Sequence, residues 1–131
     1  MEVKDLTHEN HKEHLSVILE SEKIFPESVR LTPEQLLKIL KSEQLIAKVA
    51  FHDSKYVGNA IAFCPHPQDI EEFGLEGINH HPELLYLYNF VILPEAQGKG
   101  FGKVLLKELI GFAKAKGYTH IEGHFRPQAS L

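Results

Sequence analysis

The sequence predicts one α+β domain built around a mixed sheet, and three observations carry that prediction. Two apolar runs rich in β-forming residues, Leu45–Phe51 and Tyr56–Phe63, are separated only by His52-Asp53-Ser54-Lys55, a hairpin signal. Leu84–Leu93 is a run with no breaker and with apolar residues on both faces, the pattern of a strand covered on both sides. Helical spacing precedes the hairpin and follows this strand, so helices and strands belong to one unit.

The elements follow in order. Val3–Leu6 reads as a short strand. Thr7 offers an N-cap, and Leu15, Ile18 and Leu19 give helical apolar spacing to about Lys23, with Pro26 ending the element. A second helix opens at Thr32, where Pro33 occupies the first position and Gln35 completes a capping box. Leu36, Leu37, Ile39 and Leu40 supply its buried side. After the hairpin, Cys64 to about Glu83 reads as a loop, long enough for a compact domain to imply a functional or a mobile segment. Pro94 stops the long strand, and the pattern from about Gly100 to Lys116 is helical. Lys103, Lys107 and Lys114 share its polar face, opposite Phe101, Leu105, Leu109, Phe112 and Ala113. Gly117 is a C-cap, and Thr119–Phe125 is a last strand followed by a short tail. There is no internal repeat or linker.

Composition narrows the function. The chain has 131 residues, 43% apolar and 24% charged, which fits one soluble globular domain. A net charge of −4 argues against nucleic acid or an anionic membrane surface, since both need a basic face. No apolar run approaches the ~18 residues of a membrane span. Met1-Glu2-Val3-Lys4-Asp5 is too charged for a signal peptide. A single cysteine, Cys64, excludes an internal disulfide and fits a reducing, cytoplasmic setting.

The segment that carries chemistry is Pro94-Glu95-Ala96-Gln97-Gly98-Lys99-Gly100-Phe101-Gly102-Lys103, between the long strand and the last helix. Glycines at alternate positions let the backbone approach a ligand closely. Outward N–H groups at a helix start, with about half a positive charge, form an anion site. Lys99 and Lys103 add charge beside it. Two common phosphate loops fail on spacing. A P-loop needs four residues between its first glycine and its Gly-Lys, then Ser or Thr; here Gly98 to Gly102 encloses three, and Val104 follows Lys103. In a dinucleotide fingerprint the third glycine would come one residue later.

The pattern that fits is Gln/Arg-x-x-Gly-x-Gly/Ala after a long strand, matched by Gln97, Gly100 and Gly102. With Phe90-Val91-Ile92-Leu93-Pro94 before it, the segment resembles the coenzyme A-binding core of the GNAT superfamily of N-acetyltransferases. Asp53-Ser54-Lys55-Tyr56-Val57-Gly58 resembles that family's turn into its third strand, and the order of elements agrees. The resemblance implies the acyl-CoA N-acyltransferase fold, a mostly antiparallel, three-layer-like sheet flanked by helices. It implies acetyl-CoA as co-substrate and no metal. Main-chain groups of Phe90, Val91 and Ile92 would hold the pantetheine arm. Gly98, Lys99, Gly100, Phe101, Gly102 and Lys103 would hold the pyrophosphate, with Gln97 shaping the loop.

The resemblance further implies direct attack of an amine on the thioester. The oxyanion donor would be a main-chain N–H near Val91 or Ile92. Glu122 corresponds to a glutamate on the fifth strand that some relatives use as base. Alternation puts His120, Glu122 and His124 on one strand face. Many relatives take the acid from a tyrosine on a later helix. Relative to them the chain is expected to lack the last helix and two strands, which leaves the acid unassigned. Tyr86 and Tyr88 are read as core packing beside the thioester, near Asn89. An incomplete sheet edge would favour self-association. Three functions stay open: acyl transfer from acetyl-CoA to a primary amine of a small molecule or peptide, a catalytically weak or inactive CoA-binding sensor or structural module, and a binding domain for some other phosphate ligand.

Other features read as ordinary surface or core. His8, His11 and His14 recur every three residues and are taken as a solvated face rather than a metal site. His66, His80 and His81 are read as polar loop residues, and Cys64 as a buried strand-end thiol. Asp69, Glu71, Glu72, Glu76 and Glu83 would favour a cationic acceptor if their loop borders the cleft.

Overall fold

The computed structural model describes residues 1–25, 27, 30–75 and 77–123. Among these residues five strands form one sheet in sequence order: β1 (Glu2–Leu6), β2 (Leu45–His52), β3 (Lys55–Phe63), β4 (Leu84–Ile92) and β5 (His120–Glu122). The first three pairings are antiparallel and β4–β5 is parallel. The helices are α1 (Leu15–Glu22), α2 (Pro33–Leu40), α3 (Pro67–Glu72) and α4 (Phe101–Ala115). The mixed, mostly antiparallel sheet expected from the sequence is present.

Two apolar cores sandwich the sheet. On one face Ile18, Leu36, Ile39 and Leu40 pack on Ala47, Ile61, Phe63, Leu84, Tyr86 and Tyr88. On the other, Leu105, Leu109 and Ala113 of α4 pack on Ile46, Ala50, Ala60, Ala62 and Leu85. β4 is therefore covered on both faces, as its uninterrupted apolar run predicts.

Local chemistry sets the boundaries. Asp53 and Ser54 both take positive φ, 51° and 65°, the geometry a two-residue hairpin turn requires. The capping box of α2 is formed: Gln35 N–H donates to Thr32 Oγ1 at 3.1 Å, and Thr32 N–H to Gln35 Oε1 at 3.0 Å.

Two expectations need correction. The first helix starts at Leu15 rather than near Thr7. Asn10 accepts the Thr7 N–H at 2.8 Å and donates to the Asp5 carbonyl at 2.9 Å, so its side chain takes up groups an earlier helix would use. A 3₁₀ turn at His11–Glu13 follows instead. The stretch from Cys64 to Glu83 is not all loop, because α3 lies within it. Pro67 at its first position and the Asp69 carboxylate, which accepts the His66 N–H at 2.9 Å, start that helix. Pro26, Glu76, His124 and the tail beyond lie outside the described residues. Among the described residues no helix is long and apolar enough to cross a membrane.

Candidate functional site

The site is organised by β4. Leu93 N–H donates to the Val57 carbonyl at 2.9 Å, and Asn59 stands opposite Val91. Alternation along an antiparallel ladder then turns the main chain of Val91 toward β3 and that of Phe90 and Ile92 away from it. β5 pairs only with Leu84, Leu85 and Tyr86. Among the described residues, no strand pairs with the rest of β4 on that side. Of the three strand residues named from the resemblance, Phe90 and Ile92 thus present main chain to the outer side, while Val91 is inside the ladder.

The loop after β4 is held by Gln97. Its side-chain amide donates to the Ile92 carbonyl at 3.0 Å, tying the loop to the end of the strand. A 3₁₀ turn at Pro94–Ala96, with Ala96 buried, precedes it. Gly98 and Gly100 take φ of 79° and 81°, a region that disfavours any residue with a Cβ. Gly100 is the N-cap of α4 and supplies no side-chain cap. The helix ladder begins with the Val104 N–H donating to the Gly100 carbonyl at 3.4 Å. The N–H groups of Phe101, Gly102 and Lys103 therefore open the helix without intrahelical partners. Gly98, Lys99 and Lys103 are exposed, and neither lysine is ion-paired among the described residues. The Phe101 ring lies 5.0 Å from that of His52, which seats the hairpin end against the loop.

Gly102 is not demanded by packing. A Cβ built there would meet the Phe90 ring at 3.6 Å and the Ile92 side chain at 3.7 Å, ordinary contacts. Gly58 is the opposite case. Its Cβ would lie 2.2 Å from the Val91 carbonyl oxygen, so β3 can approach β4 this closely only with glycine. The loop offers open main-chain donors and two lysines, which is the chemistry an anion requires.

The opposite face of β4 carries a buried polar chain that the sequence reading missed. Tyr56 O–H donates to Asn59 Oδ1, Asn59 Nδ2–H to Asn89 Oδ1, and Asn89 Nδ2–H to Glu22 Oε2. Glu22 Oε1 accepts the Leu31 N–H at 2.8 Å. Asn59, Asn89 and Glu22 are all buried. Burial, reinforced by the negative charge of Glu22, raises the Tyr56 pKa, while the Ser21 hydroxyl acts the other way. Asn89 sits at a bulge, since Ile61 faces Asn89 and Ala62 faces Leu87, leaving Tyr88 as the extra residue.

The remaining candidates fall as follows. Glu122 is exposed on β5 opposite Tyr86. Tyr86 and Tyr88 are buried, their rings 4.7 Å apart, within a cluster with Phe63 and Phe73. Burial first, then Asp69, raises the Tyr88 pKa. Cys64 is buried and its thiol pKa is raised by desolvation and by Asp69, so it is a poor nucleophile. His11 is buried with Nδ1 2.8 Å from the His8 carbonyl, whereas His8 lies beside Glu9 and His14 beside Phe51. Among the described residues no three metal-binding side chains cluster. Asp69 and Glu72 both pair with Lys38, so part of the acidic segment is neutralised.

The sequence pattern of the acetyltransferase (GNAT) family matches residues 12–128. The chain belongs to that family, whose members transfer acetyl groups, and its sheet is the acyl-CoA N-acyltransferase fold. No curated protein sequence matches it. The ribosomal-protein-S18-alanine N-acetyltransferase from Escherichia coli is similar in structure: 15% identity over 98% of this chain and 69% of that one, with a TM-score of 0.71. Aminoglycoside N-acetyltransferase AAC(6')-Iy in complex with CoA shares 18% identity over 97% of this chain and 78% of that one, TM-score 0.66. An aminoglycoside acetyltransferase from an uncultured soil metagenomic sample, in complex with sisomicin, shares 20% over 95% and 76%, TM-score 0.62.

Proposed function

We propose that this chain transfers an acetyl group from acetyl-CoA to a primary amine by direct attack on the thioester. The observation that carries this reading is one continuous main-chain surface, from the outward groups of Phe90 and Ile92 to the uncapped start of α4. Gly98 through Lys103 receive the pyrophosphate, with Lys99 and Lys103 supplying charge. Phe90 and Ile92 hold the pantetheine arm. Because the Val91 N–H faces β3, the oxyanion donor falls to Phe90 or Ile92.

Glu122 takes the proton from the attacking ammonium. The N–C bond then forms, the nitrogen releases its second proton to solvent as the C–S bond breaks, and the departing thiolate takes a proton from solvent. CoA bound to AAC(6')-Iy and the N-acetyltransferase names of the similar structures support donor and reaction type. Exposed Glu71 and Glu122 favour a cationic acceptor.

The test has two arms. Calorimetry is expected to show binding of CoA and none of ATP; the reverse would sink the donor assignment. Thiol release from acetyl-CoA with a panel of amines is expected to favour cationic primary amines. CoA binding without thiol release for any amine would leave a binding module, and a preference for anionic acceptors would remove the role of the carboxylates.

A further inference from the structure

The buried chain ends on the strand that the proposed site uses. Asn89 is the residue immediately before Phe90, and it lies at the bulge where the register of β4 shifts. Its side chain is fixed at both ends, accepting from Asn59 on β3 and donating to Glu22 on α1. Glu22 in turn receives the Leu31 N–H ahead of α2. Three separate parts of the fold thus converge on one amide. We propose that Asn89 is a positioning residue for acyl transfer, clamped between Asn59 and Glu22 so that the neighbouring Phe90 main chain faces the donor in one orientation. This rests on the reading that Phe90 faces the pantetheine arm.

The polarity of the chain suggests a specific test. Both Glu22 oxygens accept, Oε2 from the Asn89 amide and Oε1 from the Leu31 N–H, and this sets the direction of every amide above it. With Glu22→Gln, Asn89 and Asn59 can each rotate by 180° and the chain can run in reverse, ending with Tyr56 Oη as acceptor. That change is expected to be mild. With Asn89→Asp, two carboxylates face each other in a buried site, and the bulge must give way. Combining the two restores a partner at every link. The introduced carboxylate accepts from Asn59 and from the introduced amide, whose oxygen still accepts the Leu31 N–H.

Steady-state thiol release and NMR titration of the Phe90 amide with CoA are to be measured on the full chain. Asn89→Asp is expected to lower kcat roughly tenfold to a hundredfold, the scale of a misplaced reacting group, with KM for acetyl-CoA changed less than about threefold. It is also expected to lose the Phe90 shift. The double variant is expected to regain most of both. A double variant that stays as impaired as Asn89→Asp, or that does not fold, overturns the proposal, as does an Asn89→Asp protein with wild-type kcat. Loss of turnover in Glu22→Gln with no recovery in the double variant would make Glu22 itself the reacting carboxylate, and also overturns it. A wild-type protein whose Phe90 amide ignores CoA would instead refute the donor site.

Discussion

β4 borders two regions made of different materials. On the side leading into α4, Gln97 to Gly100 and Lys103 are exposed, Phe101 and Gly102 are half-buried, and the segment presents main-chain N–H groups, with Gly98 and Gly100 holding conformations a side chain would resist. On the α1 side, the Tyr56–Asn59–Asn89–Glu22 chain runs from a half-buried phenol to buried amides and a buried carboxylate, and its links are side chain to side chain until Glu22 also accepts the Leu31 N–H. The first region leaves donors open and gains nothing for stability from them. The second satisfies its polar groups internally, which a buried chain must do to be tolerated. The proposed binding surface and its proposed support thus lie on the two sides of one strand.

The change expected to have the largest effect strikes both regions together. Gly58→Ala would put a Cβ 2.2 Å from the Val91 carbonyl oxygen and 2.9 Å from Ile92 Cδ1, so β3 and β4 must separate. Overpacking of this kind costs about 1–3 kcal/mol and sometimes more. Thermal unfolding is expected to show a Tm lower by roughly 10 °C, at a few degrees per kcal/mol. CoA affinity and turnover are expected to fall with it. An unchanged Tm would mean the two regions do not share a rigid frame.

Gly100→Ala addresses the loop alone. Forcing φ of 81° on alanine costs about 1–2 kcal/mol. A relaxed loop would no longer aim its N–H groups, so CoA binding is expected to weaken about tenfold or more by calorimetry. The Phe90 amide resonance of the free protein is expected to stay where it is. A shift there would show that the loop and the bulge are coupled.

Alkali is expected to act on the other region. The Tyr56 and Tyr88 phenols have pKa values raised above the ordinary 10.0, mainly by burial. A phenol that holds its proton more tightly when folded contributes fully below pH 10. It loses that contribution as pH rises from there through its folded value. Urea unfolding between pH 9 and 11 is therefore expected to show falling stability, with a shallower fall in Tyr56→Phe. An identical slope in that variant would remove Tyr56 from the account.

The contrast also explains what could be read from the sequence. The loop was legible because its requirements are local: three alternate glycines, a proline that ends a strand and a helix that follows. The α2 cap was legible for the same reason. The polar chain was not, because Asn89 and Glu22 are 67 residues apart and Asn59 interrupts an apolar run without any local signal. The start of α1 was misplaced because Asn10 competes for the backbone. The helix α3 was missed although Pro67 and Asp69 marked its first turn, since the surrounding prolines and glycines suggested only loop.

The smallest expected effect is the sharpest test of how far the donor loop extends. Gly102 has no positive φ, and a Cβ there would meet only ordinary contacts with Phe90 and Ile92. Gly102→Ala therefore costs the protein no strain. It gains up to about 0.5–1 kcal/mol, the penalty of glycine within a helix. A slightly higher Tm is expected, with CoA affinity within about twofold of wild type, in line with a Gly/Ala position in the motif. Calorimetry beside Gly100→Ala decides the matter. If the two variants lose CoA equally, glycine at 102 serves the ligand's close approach rather than the fold, and the binding surface reaches the second residue of α4. If only Gly100→Ala loses it, the anion is held by the left-handed turn and the first N–H groups, and Gly102 is a place where the chain tolerates a methyl group.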